Sequence, residues 1–160
     1  MLMDGGHAVD AAVAAAAALN VLEPMSTGVG GDMFALIWDN RARRVIALNG
    51  SGRSAAATNA ADVRRKGYER IPLAGGDAGL SVSVPGTVDG WQTALEAYGQ
   101  MTLRETLAPA IDYALNGFAV SEVIAYQWQG NERKLAANPS GLEFLPGGHA
   151  PRFGEIVSLP

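Results

Sequence analysis

Val9–Val21 reads VDAAVAAAAALNV, and a run so rich in alanine has few structural options. Alanine loses no side-chain entropy on entering a helix, and its small side chain lets neighbouring elements close on more than one face. The run therefore predicts a helix packed inside a folded body. Asn20 and the following Leu22-Glu23-Pro24 mark its end, because Pro24 cannot join the helical hydrogen-bond ladder and restrains Glu23 to extended geometry. The apolar stretch Ala11–Leu22 is short for a membrane span, contains Asn20 and has charged residues on both sides. It also has almost no basic polar face of the kind that rests on a membrane surface, so no membrane segment is expected here.

The pattern after Pro24 alternates between loop, strand and helix. Met25–Asp32, MSTGVGGD, reads as a glycine-rich loop entering the compact apolar run MFALIWD, a buried strand over Met33–Asp39. A second strand is expected at Arg44–Leu48, joined to the first as a hairpin because DNRAR offers an Asp-Asn pair suited to a tight reversal. After Asn49-Gly50-Ser51-Gly52, the segment Ser54–Val63 predicts a short helix. Gly75-Gly76 opens a loop ahead of Ser81–Val84, whose alternation is strand-like. Helices follow at Trp91–Tyr98, at Leu103–Gly117 with Leu103, Leu107, Ile111 and Ala114 at helical spacing, and at Ser121–Ala137. Pro139–Phe153 is rich in proline and glycine and reads as surface connection, and Val157–Pro160 as the start of a further element. With 48% apolar and 18% charged residues, an intrinsically disordered chain is excluded. No long flexible linker interrupts the pattern, so residues 1–160 read as one α/β unit with no independent second domain. Met1–Gly6 lacks the basic lead, apolar stretch and cleavage site of a secretory signal. The long helix begins after so little preparation that the start reads as a truncation, which leaves the compartment open.

A net charge of −4 gives no broad attraction for a polyanion, so nucleic acid is not an expected partner. The chain has no cysteine, hence no disulfide framework, thiol nucleophile or thiolate metal site. His7 lies near Asp10 and His149 near Arg152, but neither pair has metal-ligand spacing and no HExxH accompanies them. Neither a metal nor a cofactor is expected. Gly28-x-Gly30-Gly31-Asp32 could bring backbone N–H groups to an anion, or serve only for close backbone packing; it is not a phosphate-binding loop, since no Gly-Lys-Ser/Thr follows. Ser26, Thr27, Ser51 and Thr87 sit in candidate loops with no local base and orienting carboxylate, so each reads as a loop hydrogen-bonder. Arg53, next to a flexible turn, suits bidentate recognition of a substrate carboxylate, with a salt bridge as the alternative. Asp89 either orients a donor or caps the helix before Trp91.

Several ordered motifs go further. Asp4-Gly5-Gly6-His7-Ala8-Val9-Asp10-Ala11-Ala12, then Glu23-Pro24-x-Ser26-x-Gly28-x-Gly30-Gly31-Asp32-x-Phe34, then LNGSGRSAAAT, VSVPGTVDGW, YGxMTLRETLAPAIDYALNGFAV and the Gly154–Pro160 end resemble the large subunit of the gamma-glutamyltransferase family. The resemblance covers nearly the whole chain.

That resemblance implies an N-terminal nucleophile hydrolase fold, an αββα arrangement of helices flanking two central sheets, of which this chain would be part. It implies an autoproteolytic precursor that matures into large and small subunits, glutathione metabolism, and a threonine nucleophile exposed at the start of the small subunit. None of Thr27, Thr58, Thr87 or Thr102 lies in such a cleavage motif, so no catalytic residue is assigned and the isolated chain is expected to be inactive. The implied partners are the small-subunit region bearing that threonine and a small gamma-glutamyl or related amide substrate. Relatives use a large-subunit arginine for the donor's α-carboxylate; here Gly50 falls near that position and Arg53 three residues later, so Arg53 is the substrate-binding candidate. Ser26, Gly28, Gly30, Gly31, Pro85, Gly86, Thr87 and Asp89 are expected to support the cleft. Two other readings stay open at this point: an amidase like those that deacylate cephalosporin-like compounds, and a non-catalytic binding or scaffold homologue.

Overall fold

A computed structural model describes residues 1–73 and 75–159. In chain order the elements are α1 (Ala8–Leu22), β1 (Met33–Asp39), β2 (Arg44–Gly50), α2 (Ala60–Arg65), α3 (Thr87–Tyr98), α4 (Leu103–Asn116), β3 (Phe118–Ala119), α5 (Glu122–Ala136) and β4 (Ile156–Val157). The mixed helix-and-sheet class is the one read from the sequence. The strands form two separate antiparallel pairs, β1 with β2 and β3 with β4, which is the part of an αββα arrangement present among the described residues. Contacts gather the chain into two compact units, one joining Met1–Gly28 to the stretch from Tyr98 onward, the other Val29–Ala97.

In the first unit, α1 packs along α4. Val13, Ala14 and Ala17 of α1, and Thr106 and Ala110 of α4, are buried, and side chains this small permit close approach of the two helices. The start of α1 is held by a carboxylate. Asp10, with no exposed surface, accepts from the His7 N–H at 2.8 Å and from the Gln100 and Met101 N–H groups at 3.0 Å each. Burial works against its charge, yet the backbone donors of His7, Met101 and Gln100 hold the carboxyl below its ordinary range. His7 caps the same helix by accepting from Val9 N–H through Nδ1 at 3.3 Å, so the pair serves helix capping. At α4, Thr102 and Glu105 form a reciprocal capping box.

Gly117, at φ +91°, ends α4 and turns the chain into β3, where Phe118 pairs with Val157 and Ala119 with Ile156. Around this ribbon lies the main core: Phe118, Val120, Ile124, Ala125, Trp128, Leu145, Ala150 and Val157. Trp128 is 1% exposed and donates its indole N–H to the Phe144 carbonyl at 2.7 Å, so its one polar atom is satisfied as the ring is buried. The surface role expected of Pro139–Phe153 is corrected here. Its short 3-10 turns deliver Leu145, Ala150 and Pro151 to the interior, and Gly141 lies against the Leu135 backbone where a Cβ would collide.

In the second unit, β1 and β2 form the expected hairpin, registered from Met33↔Gly50 to Asp39↔Arg44. Asp39 makes the reversal, accepting from Arg41 and Ala42 N–H at 2.9 and 3.0 Å. The first strand is not buried as its apolar run predicts: Phe34, Leu36 and Trp38, with Val45 of β2, point to one face and are 68%, 78%, 55% and 57% exposed, since a strand sends alternate side chains to opposite faces. Met33, Ala35, Ile37, Ile46 and Leu48 point to the other and are half-buried. Gly90 of α3 abuts Met33 and Gly50 at the base of the hairpin. Three expected elements differ. The helix expected at Trp91–Tyr98 begins already at Thr87. The helix over 54–63 is α2 instead, set by Asn59, whose side chain caps the Asp62 N–H at 2.9 Å. The strand over 81–84 reduces to one antiparallel bridge, Ser54 to Ser83, because a 3-10 turn runs through Ala78–Ser81.

Candidate functional site

Three loops that are remote in sequence meet ahead of α3. The Gly31 carbonyl accepts from the Gly86 N–H at 3.0 Å and the Thr87 N–H at 3.1 Å. The Asp32 carboxylate accepts from the Gly52 N–H at 2.9 Å and from the Ser83 hydroxyl at 3.0 Å. The Arg53 carbonyl accepts from Val84 N–H at 2.8 Å. Asn49 shapes the middle loop by accepting from Ser51 N–H at 2.9 Å, an Asx turn.

Such close meeting of backbones explains two of the glycines. A Cβ on Gly52 would overlap the Val84 carbonyl, and one on Gly86 would overlap the Gly50 carbonyl. Gly28 and Gly30, by contrast, face open space. Asp32 sits on the exposed side of the junction. The Gly52 N–H first, then the Ser83 hydroxyl, hold its carboxyl below the ordinary range against a smaller opposing effect of desolvation. It is ionised at neutral pH.

Arg53 emerges from this junction. Its side chain is exposed, and among the described residues no carboxylate forms an ion pair with its guanidinium. The salt-bridge alternative is therefore not the arrangement seen. A cation on a backbone tied at both sides can present two parallel N–H donors to a carboxylate.

Of the other residues singled out by sequence, Gly31, Pro85, Gly86 and Thr87 belong to the same junction. Thr87 is buried, and its hydroxyl has no hydrogen-bond partner among the described residues. Asp89 lies within the first turn of α3 rather than ahead of the helix, since the ladder already begins with Gly90 N–H donating to the Gly86 carbonyl at 2.9 Å. There its charge suits the helix N-terminus. Ser26 lies in the first unit, lining a groove of about 770 Å³ with Met25, Tyr126, Asn131, Lys134 and Phe144. No group of three or more His, Asp or Glu side chains placed to hold a metal occurs among the described residues.

Sequence reasoning passed over Asp32 and Ser83 as participants. The available signal was an acidic residue closing a glycine loop directly before a strand, with Gly-Ser-Gly and Ser-x-Pro-Gly elsewhere in the chain. The arrangement as a whole can fix a cation for an anionic ligand.

Comparison with known proteins shows the family of the chain. The family model described as Gamma-glutamyltranspeptidase matches residues 1–160. The glutathione hydrolase-like YwrD proenzyme of Bacillus subtilis is 42% identical over 156 residues, covering 97% of this chain and 29% of that protein. Among solved structures, cephalosporin acylase from Bacillus halodurans superposes with a TM-score of 0.87 at 39% identity, over 98% of this chain and 30% of the other. Helicobacter pylori gamma-glutamyltranspeptidase gives a TM-score of 0.85 at 30% identity, over 98% and 45%. The chain thus spans roughly three-tenths of the curated relative it matches.

Proposed function

Because the chain belongs to the gamma-glutamyltranspeptidase family, we propose that it is a large-subunit segment of a gamma-glutamyltransferase-like threonine amidase, with residues 1–160 supplying donor recognition and structural support for the cleft. The observation that carries this reading is Arg53: an exposed guanidinium without an ion-pair partner among the described residues, on a backbone held by Asp32, Ser83 and Val84. In the whole protein, the threonine hydroxyl of the small-subunit region attacks the acyl carbonyl while its own α-amine accepts the hydroxyl proton. The C–N bond of the amide then breaks, the leaving amine takes up a proton, and an acyl-threonine ester is left for water or an amine to cleave. Arg53 holds the donor carboxylate through these steps. Gly30, Gly31, Pro85, Gly86, Thr87 and Asp89 support the cleft without touching the reacting atoms.

The exposed apolar face of Phe34, Leu36, Trp38 and Val45 supports a further polypeptide layer on the β1–β2 hairpin, which we assign to the rest of the precursor. The chain alone is then inactive. A second reading, an acylase acting on a different acyl donor, is favoured by the position of Arg53 within Gly-Ser-Gly-Arg and by the 39% identity to cephalosporin acylase. Recovering the flanking coding sequence and expressing the full-length protein tests both. Self-cleavage at a threonine and preferential turnover of gamma-glutamyl amides support the first reading; preference for non-glutamyl acyl amides supports the second. A full-length product with no such threonine refutes both and leaves the binding or scaffold homologue.

A further inference from the structure

We propose that Asp32 is a positioning residue for Arg53: its carboxylate sets the path of the Gly52-Arg53-Ser54 backbone and so aims the guanidinium, without itself meeting the substrate. The proposal rests on the Arg53 reading above. Through Oδ1, Asp32 gathers the Gly52 N–H immediately before Arg53 and the Ser83 hydroxyl, whose own residue bridges to Ser54 immediately after it. The Arg53 carbonyl is tied to Val84. The arginine head of this short segment is exposed, while the backbone on either side of it is tied to Asp32 directly at Gly52 and to the Ser83–Val84 segment at Arg53 and Ser54.

Chemistry favours the carboxylate over a neutral acceptor. Ionised, it is acceptor-only and can take several donors at once, with charge-assisted bonds stronger than neutral ones. Gly52 cannot carry a side chain here, since a Cβ would meet the Val84 carbonyl. The segment therefore has no side-chain packing at that residue to hold its course, and Asp32 supplies the restraint instead. Asp32 takes its donors from Gly52, next to Arg53, and from Ser83, on the segment that pairs with it.

The test uses the full-length protein with a gamma-glutamyl anilide and the analogue whose α-carboxylate is replaced by a carboxamide. Asp32→Ala is expected to raise KM for the carboxylate donor roughly tenfold with kcat little changed, the size of effect a lost charge-assisted bond carries. Asp32→Asn, which keeps an acceptor oxygen but loses the charge, is expected to fall between Asp32→Ala and the unchanged protein. In an Arg53→Ala background Asp32→Ala should add nothing, because both changes remove one interaction, and neither should alter KM for the carboxamide analogue. Ser83→Ala, removing one arm of the clamp, is expected to raise KM by a smaller factor and serves as well if Asp32→Ala fails to accumulate. If Arg53→Ala leaves KM unchanged, the carboxylate-binding reading falls and the positioning role with it. If Arg53→Ala raises KM while Asp32→Ala and Ser83→Ala do not, or if their effect persists without Arg53, the positioning role alone is overturned.

Discussion

Trp128 and Trp38 both stand on regular elements, yet one is 1% exposed and the other 55%. Trp128 sits in a core assembled from four sources: the β3–β4 ribbon, α5, the turns after it and the end of α1. Its indole N–H finds the Phe144 carbonyl. Trp38 stands on the outer face of a two-stranded hairpin beside Val45, with the Arg43 guanidinium 5.6 Å from its ring centroid and Phe34 and Leu36 continuing the same row. A hairpin buries one face at a time, and this one spends that face on its own unit. The difference teaches that a length of polypeptide can complete one hydrophobic core while leaving a second surface that acquires a cover only from elsewhere. A contiguous exposed row of large apolar side chains is the usual mark of such an interface.

The largest expected effect is on the finished core. Trp128→Ala should cost about 3–5 kcal/mol, read as a shift in the denaturant midpoint of the chain. A loss below about 1 kcal/mol would mean that the core is not closed around the ring. Next is Gly52→Ala. Its Cβ overlaps backbone rather than a movable side chain, so about 1–3 kcal/mol is expected, with increased hydrogen exchange confined to residues 50–54 and 83–87. Arg53→Ala in the full-length protein should raise KM for a carboxylate-bearing donor roughly tenfold, worth about 1.4 kcal/mol, with stability unchanged.

Acid titration probes the first unit again, through Asp10. Its folded-state pKa is depressed, so its contribution is present above the unfolded value of about 3.9 and is lost as pH falls through the lower folded value. Stability should therefore decline with acid below about pH 4, and Asp10→Asn should flatten that part of the curve. The smallest effect is expected on the open face. Leu36→Ser should change the stability of the chain by no more than about 0.5 kcal/mol, yet cost about 1.5–3 kcal/mol in the full-length protein if the proposed further layer covers the face. Equal effects in both would erase the contrast between the two tryptophans.

Local chemistry made part of this architecture legible in advance. The alanine run gave α1 to within a residue at each end, and Pro24 its stop; the apolar run MFALIWD and the Asp-Asn pair after it gave the hairpin. Elsewhere the same local signals misled. Ser81–Val84 has a strand's alternation, but a 3-10 turn precedes it and only Ser83 finds a partner across the chain. Pro139–Phe153 has the composition of a surface loop, yet Leu145, Ala150 and Pro151 are interior, because proline and glycine here shape turns that carry apolar groups inward. At the site, Arg53 was recognisable as a cation beside a flexible turn, whereas its clamp was not, since Asp32, Gly52 and Ser83 come together only through folding.

Residue type and short-range spacing were enough for α1, α4, α5 and the hairpin, and to single out Arg53 as a candidate, since each depends on backbone preferences or functional groups carried within a few residues. Which glycines are obligatory, which face of the hairpin stays open, and which carboxylate gathers the loops around Arg53 depended on contacts between residues as far apart as Asp32 and Ser83. Those contacts are fixed by close packing and by the need of backbone donors for partners once loops converge, and neither is written in the spacing of any one segment.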